Sequence, residues 1–242
     1  MACGGDGTAA EVVNGWLACD EAARAGSVVG ICPLGSGCDL ARHFGISRDP
    51  EKALEALAGA RAENLDLGRV EFSGQSRYFL NIVTLGIGGD VGREIEASGK
   101  RFGGTASYLF AVVRALLRAK PRLFELSVDG RAEPAAPYHL IAVANTSSTG
   151  GGMNVAPQAD ARDGRLDVVT VAGVGRLELF RRLPSVYWGG HLGKSGIRAA
   201  RAQRLEVRGP SDAGLNIDGE AVGSLPATFE IVPAALPFLL PA

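Results

Sequence analysis

The sequence predicts an α/β domain followed by an all-β domain, and three observations support this division. Residues 9–60 alternate between helical stretches and one short apolar run, as α/β folds do. From residue 64 onward, short β-type runs separated by glycine and Asp-Gly turns replace that pattern. With 242 residues, of which 46% are hydrophobic, the chain can bury the cores of two small domains. We therefore place a domain boundary near residue 63.

The pattern of residues 1–63, the first predicted domain, is typical of a layered parallel sheet. Its helices are expected at 9–25, 36–44 and 49–60. An apolar strand is expected at 28–32, with Pro33 and Gly35 marking its exit. Ser47 or Asp49 is the expected cap of the last helix. This order predicts a partial Rossmann-like α/β domain.

The second predicted domain, residues 64–232, is a β-sandwich. Its strands are expected at 65–72, 77–83, 124–128, 139–144, 166–171, 204–207, 215–217 and 228–232. Only two helical stretches, 104–119 and 174–190, are expected between them, which favours a sandwich over further parallel βαβ units. The apolar segment 233–242 is expected to pack back on the first domain.

Composition argues against two classes of protein. The 25 basic and 26 acidic residues nearly balance, so no excess of positive charge indicates a nucleic-acid partner. No window reaches the roughly 18 uncharged apolar residues of a membrane span. The amino terminus also lacks the basic-then-apolar pattern of a signal peptide. We expect a soluble, cytoplasmic protein.

Two glycine loops carry the strongest functional signal. Gly4-Gly5-Asp6-Gly7-Thr8 leads directly into the first helix, and the loop at 33–42 follows the strand at 28–32 and opens another helix. Glycines permit close backbone approach, and a helix amino terminus offers unpaired amides to phosphate. Alone, a short glycine run is equally compatible with a tight turn. Together, the loops are expected to meet at one sheet edge and bind phosphates between them.

Both loops resemble signatures of bacterial diacylglycerol kinase-like lipid kinases. The first resembles the family's Gly-Gly-Asp-Gly-Thr loop, and Pro-Leu-Gly-Ser-Gly-Cys-Asp-Leu-Ala-Arg is similar to Pro-Leu-Gly-Thr-Gly-Asn-Asp-Phe-Ala-Arg. Further matches follow in order at 65–68, 81–89, Asn145, 150–153, 156–157 and 217–220. The resemblance covers essentially the whole chain. It implies an ATP- and Mg²⁺-dependent lipid kinase that phosphorylates the hydroxyl of diacylglycerol or a related lipid alcohol.

The resemblance also implies roles for individual residues. Nucleotide contacts are implied for Gly4, Gly5, Asp6, Gly7, Thr8, Glu11, Gly35, Ser36 and Gly37. Asp6 would in addition act close to the catalytic magnesium. Asp218 and Glu220 are the candidates for the carboxylate that orients and deprotonates the acceptor hydroxyl. An Asp-Gly pair is also a common hairpin turn, as expected at Asp129, so the surrounding motif carries this assignment.

A second magnesium site, of structural type, is implied at residues 160–167. This segment resembles the family's Asp-x-x-Asp-Gly-x-Leu-Asp pattern. Asp160, Asp163 and the backbone carbonyl of Arg165 are the expected ligands, because Mg²⁺ prefers hard oxygen donors. A solvated turn before the next strand is an equally weighted alternative.

The stretch 176–208 favours peripheral contact with an anionic membrane, such as the inner face of the cell membrane. It contains eight Arg or Lys residues against two Glu, with Tyr187 and Trp188 in its middle. Anionic lipid attracts basic residues, and Tyr and Trp prefer the membrane interface. A solvated basic face is the alternative interpretation.

The chain departs from the family at its start. Only Met1, Ala2 and Cys3 precede the first loop, where members of the family carry further strands and helices. We therefore expect a chain truncated at its amino terminus. Its exposed sheet edge would be available for pairing with a second copy of the chain, as a homodimer. One rival hypothesis is a non-catalytic remnant that binds nucleotide or lipid. The other is NAD kinase, which shares the first loop but is disfavoured by the second loop and the 217–220 motif.

Overall fold

The computed structural model describes the backbone of residues 1–98 and 105–241. Side chains are described for all of these residues except 96–98 and 105–107. The helices are α1 (Asp6–Leu17), α2 (Glu21–Arg24), α3 (Asp39–His43), α4 (Pro50–Ala58), α5 (Ile87–Ser98), α6 (Thr105–Arg118) and α7 (Arg176–Val186). The strands are β1 (Ala2–Gly4), β2 (Ile31–Pro33), β3 (Arg61–Phe72), β4 (Gln75–Phe79), β5 (Ile82–Gly86), β6 (Arg122–Val128), β7 (Arg131–Ala132), β8 (Ala136–Ala144), β9 (Leu166–Ala172), β10 (Ile197–Ala202), β11 (Arg204–Arg208), β12 (Leu215–Ile217), β13 (Glu220–Val222) and β14 (Ala227–Leu240). The chain is therefore of mixed α/β class.

The amino-terminal part is a two-stranded parallel sheet with helices around it. β1 pairs in parallel with β2, and the apolar faces of α1 and α3 pack on the sheet. The helix predicted at 9–25 is two helices, because residues 18–20 interrupt it at Asp20, a poor helix-interior residue. α4 begins with Pro50, and the Asp49 carboxylate caps it by accepting the amide of Glu51 at 3.1 Å.

The rest of the described chain forms a curled antiparallel sheet. Its main order is β13-β12-β5-β8-β6-β11-β14-β3-β4. Curling occurs around β8, whose residues 140–144 pair with both β5 and β9, while its residues 136–138 pair with β6. The two inner faces enclose an apolar core that includes Phe79, Phe124 and Phe229, all fully buried. The predicted sandwich-like architecture is confirmed.

Three predicted elements were wrong in detail. The run at 77–83 is two strands, β4 and β5, because the chain turns at Leu80 and Asn81. The segment after β5, for which no helix was predicted, forms α5, whose two glycines near its start concealed the helical pattern. The strand expected at 228–232 is the 14-residue β14. β10 was not predicted at all.

β3 and β14 connect the two parts. They pair along almost their whole length, with a bulge between Val232 and Leu236. Beyond the bulge, Leu236, Phe238 and Leu240 belong to the apolar core of the amino-terminal part. Before it, Phe229 belongs to the core of the curled sheet. Because β3 crosses residue 63, the domain boundary drawn there stays a prediction.

Among the described residues, no helix is both long and apolar enough to cross a membrane.

Candidate functional site

The two glycine loops lie directly against each other. A Cβ atom added to Gly35 would lie 2.9 Å from the backbone nitrogen of Gly5, so no larger side chain fits at Gly35 without moving the backbone. A Cβ atom at Gly4 would lie 2.5 Å from Oγ1 of Thr8, directly below the first loop. The glycines of the two loops therefore permit one continuous backbone surface.

This surface forms one side of a polar cleft of about 450 Å³. The predicted site residues that line it are Gly5, Asp6, Gly7, Thr8, Glu11, Gly35, Ser36, Gly37, Asp218 and Glu220. Gly4 lies beneath the loop in β1. The structure thus brings the nucleotide candidates and both candidate carboxylates together in one cleft, although they come from opposite ends of the sequence.

The Asp6 carboxylate joins the first loop to the second. It accepts the amide of Asp39 at 3.0 Å and that of Leu40 at 2.9 Å. These are the first amides of α3, which have no partner within the helix. Asp6 therefore fixes the position of α3 while the loop around it faces the cleft.

Asp39 is a residue of this cleft that sequence reasoning did not single out. Its carboxylate is buried, pairs with Arg42 at 2.5 Å and accepts the amide of Gly151 at 2.7 Å. Burial raises the pKa of Asp39, while the hydrogen bond from Gly151 opposes the rise. Its place inside the second glycine motif was the signal that could have identified it.

Asp218 is held by three backbone amides. Its carboxylate accepts from Leu80 at 2.8 Å, Asn81 at 2.9 Å and Ile82 at 3.0 Å. Protein surrounds the carboxylate, and this burial raises the pKa of Asp218 to about 6, with the negative charge of Asp6 adding to the rise. Part of the residue still faces the cleft. A rigidly held carboxylate with a pKa near neutrality is suited to accept a proton.

Asn81 couples the two carboxylates. Its backbone amide binds Asp218, its side-chain amide donates to Asp6 at 3.4 Å, and its side-chain oxygen accepts from Thr146 at 2.9 Å. Asn81 is buried. The sequence matched the family from this residue onward, but nothing local indicated that Asn81 would lie between Asp6 and Asp218.

Glu220 is less suited than Asp218 to accept a proton. Its carboxylate forms an ion pair with Arg77 at 2.6 Å. The Arg77 guanidinium occupies one of its two oxygens. Of the two candidates, only Asp218 has a carboxylate that is held by backbone amides and not by a cation.

Comparison with known protein families shows to which family the chain belongs. The family profile of the diacylglycerol kinase catalytic domain matches residues 1–70. That of the YegS C-terminal NAD kinase beta sandwich-like domain matches residues 81–240. The chain belongs to the diacylglycerol kinase-like lipid kinase family. It is a kinase of the lipid kinase class, as its sequence predicted.

Relatives of this lipid kinase match along its whole length. A diacylglycerol kinase of Mycobacterium tuberculosis is 32% identical over 246 residues, covering 100% of this chain and 76% of that protein. A diacylglycerol kinase of Bacillus subtilis is 31% identical, with 95% and 73% covered. A crystal structure of a putative diacylglycerol kinase from Bacillus anthracis has a TM-score of 0.80 at 21% identity, covering 98% of this chain and 76% of that one. That structure shows the same fold.

The second loop differs at Cys38 from the family signature that it resembles, which has Asn at this position. Cys38 adopts a left-handed conformation with φ of 49°, which Asn tolerates better than most residues. Its buried thiol donates to the carbonyl of Gly35 at 2.9 Å. The thiol therefore closes the second loop internally, but it presents no amide to a ligand.

In the turn predicted to hold a structural magnesium, the candidate carboxylates form ion pairs with arginines. These pairs are Asp160–Arg162 at 3.9 Å and Asp163–Arg201 at 3.4 Å. The amide of Arg165 donates to the Asp163 carboxylate at 3.0 Å. Within the described ranges, no three His, Cys, Asp or Glu side chains converge as metal ligands. Magnesium binding by Asp160, Asp163 and Arg165 stays a prediction.

A second, apolar cavity adjoins the polar cleft. It has a volume of about 130 Å³ and lies between helices α5, α6 and α7 and the curled sheet. Its wall includes Val112, Leu116 and Leu183. Tyr108 and Thr149 line both the cavity and the cleft. Sequence reasoning missed this cavity, because its walls come from three helices and several distant strands.

Proposed function

We propose that this lipid kinase binds Mg²⁺-ATP between its glycine loops and transfers the γ-phosphoryl group to the hydroxyl of diacylglycerol or a related lipid alcohol. The observation that carries the proposal is the adjacency of the polar cleft to the apolar cavity. A lipid alcohol needs both environments, one for its hydrocarbon chain and one for its reacting hydroxyl. The names of the relatives, diacylglycerol kinase and lipid kinase, agree with such an acceptor.

The donor residues of the cleft fit magnesium bound together with nucleotide. Mg²⁺ usually takes one or two carboxylates and completes its coordination with substrate phosphates and water. Asp6 supplies a carboxylate next to the loops that would hold the phosphates. When bound, the ion would neutralise charge on the transferring phosphoryl group.

The chain's own residues account for the remaining steps. Backbone amides of the two loops and the amino terminus of α1 bind the phosphates. Asp218 accepts the proton of the acceptor hydroxyl. At the same time, the oxygen of that hydroxyl bonds to the γ-phosphorus, and the bond from the γ-phosphorus to the leaving ADP oxygen breaks. Because burial raises the pKa of Asp218 only to about 6, the carboxylate is mostly ionised at neutral pH and able to act as the base.

The proposal is tested by incubating the chain with γ-labelled ATP, magnesium and a panel of lipid alcohols in mixed micelles. We expect label in lipid that depends on magnesium and on the acceptor. Nucleotide binding without transfer to any lipid would instead support the non-catalytic alternative. Label in NADP from added NAD would support the NAD kinase alternative.

Membrane contact is proposed for the face formed by α6 and α7. The two helices are in contact, and their exposed apolar side chains include Phe110, Leu117 and Leu177. Trp188, which follows α7, is 69% exposed. Arg181 of α7 is also exposed, and exposed aromatic and basic residues suit the interface of an anionic membrane. The apolar cavity, walled by the same helices, would then open toward the lipid that supplies the substrate.

Vesicle binding should be stronger with anionic than with neutral lipid, because each basic residue near an anionic surface contributes about 1 kcal/mol. Trp188→Ala should weaken binding to anionic vesicles in a sedimentation assay. Leu54→Ala is the matched control, since Leu54 is also half exposed but lies on α4 in the amino-terminal part. Equal binding to both vesicle types would refute the proposed contact.

A further inference from the structure

Tyr108 stands at the boundary between the apolar cavity and the polar cleft. It belongs to α6, and among the described residues only Tyr108 and Thr149 line both spaces. The Thr149 side chain lies beside the Tyr108 hydroxyl. A tyrosine combines an apolar ring with a polar tip, so this side chain matches the change in polarity that it spans.

The ring of Tyr108 is tightly held by the loop opposite. Gly150 has a φ of +67°, and a Cβ atom there would lie 2.8 Å or closer to the ring carbons of Tyr108. No side chain therefore fits between the loop and the ring. Burial raises the pKa of the Tyr108 phenol, so the hydroxyl stays protonated at any pH at which the enzyme works.

The loop that holds Tyr108 also contacts the nucleotide side of the cleft. The amide of Gly151 donates to the carboxylate of Asp39 at 2.7 Å. Thr149 and Met153 exchange two backbone hydrogen bonds of 3.0 Å each, and Met153 lines the apolar cavity. Residues 149–153 are thus a short rigid connection between the second glycine loop and the cavity wall, with Tyr108 packed on it.

We infer that Tyr108 is the positioning residue for the acceptor: its ring limits how far a single hydrocarbon chain enters the cavity and so places the attached hydroxyl in the cleft near Asp218. This inference rests on the proposed function. The preferred acceptor would be a lipid alcohol that buries one chain, because the cavity has a volume of only about 130 Å³. A second chain of the lipid, where present, would remain outside the cavity.

The test compares Tyr108→Ala and Tyr108→Phe with the wild-type protein on straight-chain alcohols of increasing length. We expect Tyr108→Ala to lower kcat about 100-fold, because loss of near-attack geometry has effects of this size. Its preferred chain length should increase, since removal of the ring lengthens the cavity. Tyr108→Phe keeps the ring and should retain the wild-type chain-length profile. The KM for ATP should not change in either variant.

Leu116→Ala is the matched control, because Leu116 lines the same cavity from α6 but does not reach the cleft. It should raise the KM for the alcohol with a much smaller effect on kcat. An unchanged chain-length profile in Tyr108→Ala, or equal effects of Tyr108→Ala and Leu116→Ala on kcat, would overturn the inference.

A binding assay separates failure of this inference from failure of the proposed function. Displacement of a fluorescent long-chain alcohol by the same alcohol series needs no catalysis. If the wild-type protein transfers no phosphate, the proposed function fails, and the chain-length dependence of displacement still tests Tyr108. A shift toward longer alcohols in Tyr108→Ala supports the inference, and identical displacement curves for the three proteins contradict it.

Discussion

Asp218→Asn should lower kcat for lipid phosphorylation by about a thousandfold, the typical contribution of a general base. The amide that replaces the carboxylate cannot take up the acceptor proton. The KM for ATP should stay close to that of the wild type, because the amides that bind phosphate belong to the glycine loops. Steady-state kinetics with labelled ATP measure both constants.

Asp129→Asn is a closely matched control. Asp129 and Asp218 both precede glycine, both have a φ of 47°, and both accept backbone amides. Asp129, however, is exposed on a hairpin between β6 and β7. Its substitution should leave kcat unchanged. Comparable losses in the two variants would show that the turn, rather than the base, matters at Asp218.

The pH dependence of kcat gives an independent check of the same residue. Protonated Asp218 cannot accept the hydroxyl proton, so activity should fall as pH decreases through about 6, where its raised pKa lies. The acid limb should disappear from the residual activity of Asp218→Asn. An acid limb that persists in this variant would assign the ionisation to another group.

Gly35→Ala should impair both nucleotide binding and stability. Its added methyl group would lie 2.9 Å from the backbone nitrogen of Gly5, so the two loops would have to separate. Overpacking of this kind costs about 1–3 kcal/mol of unfolding free energy. Displacement of the loops should raise the KM for ATP at least about tenfold. Thermal unfolding and ATP titration measure the two effects.

Gly15→Ala should have the opposite effect on stability. Gly15 lies in α1, where an added Cβ meets no atom within 4 Å. Alanine in a helix interior is about 1 kcal/mol more favourable than glycine. The stabilisation should leave the KM for ATP unchanged. Destabilisation by both substitutions would argue that the contact between the loops is not the cause of the Gly35 effect.

The glycine loops could be located from sequence because each is a local motif. Each loop is a short backbone motif followed by a helix, and the two loops together, with their resemblance to a known family, predicted phosphate binding. The structure places Asp6 and Ser36 in the same cleft. Asp218 was also found in this way, since its motif near the carboxyl terminus resembles that of a known family.

The features missed by sequence analysis depend on tertiary contacts. Asn81 lies between Asp6 and Asp218 only because β5 brings it there. Tyr108 belongs to a stretch correctly predicted as helical, but no periodicity shows which turn of α6 will meet the cleft. The helix α5 was missed for a different reason, since glycines near its start mask its propensity.

The long pairing of β3 with β14 holds the amino-terminal part and the curled sheet together. The β3–β14 pair supplies side chains to both apolar cores. At the bulge of β14, the Asp66 carboxylate accepts the amide of Ala234 at 2.8 Å. Asp66 also accepts the amide of Gly164 at 2.7 Å, which ties the neighbouring turn to the same point. The Asp66 carbonyl also accepts from the Asn145 side-chain amide, which donates as well to the carbonyl of Leu80, a residue whose own amide binds Asp218. Movement of one half of the molecule against the other would therefore strain contacts that lead directly to the candidate base.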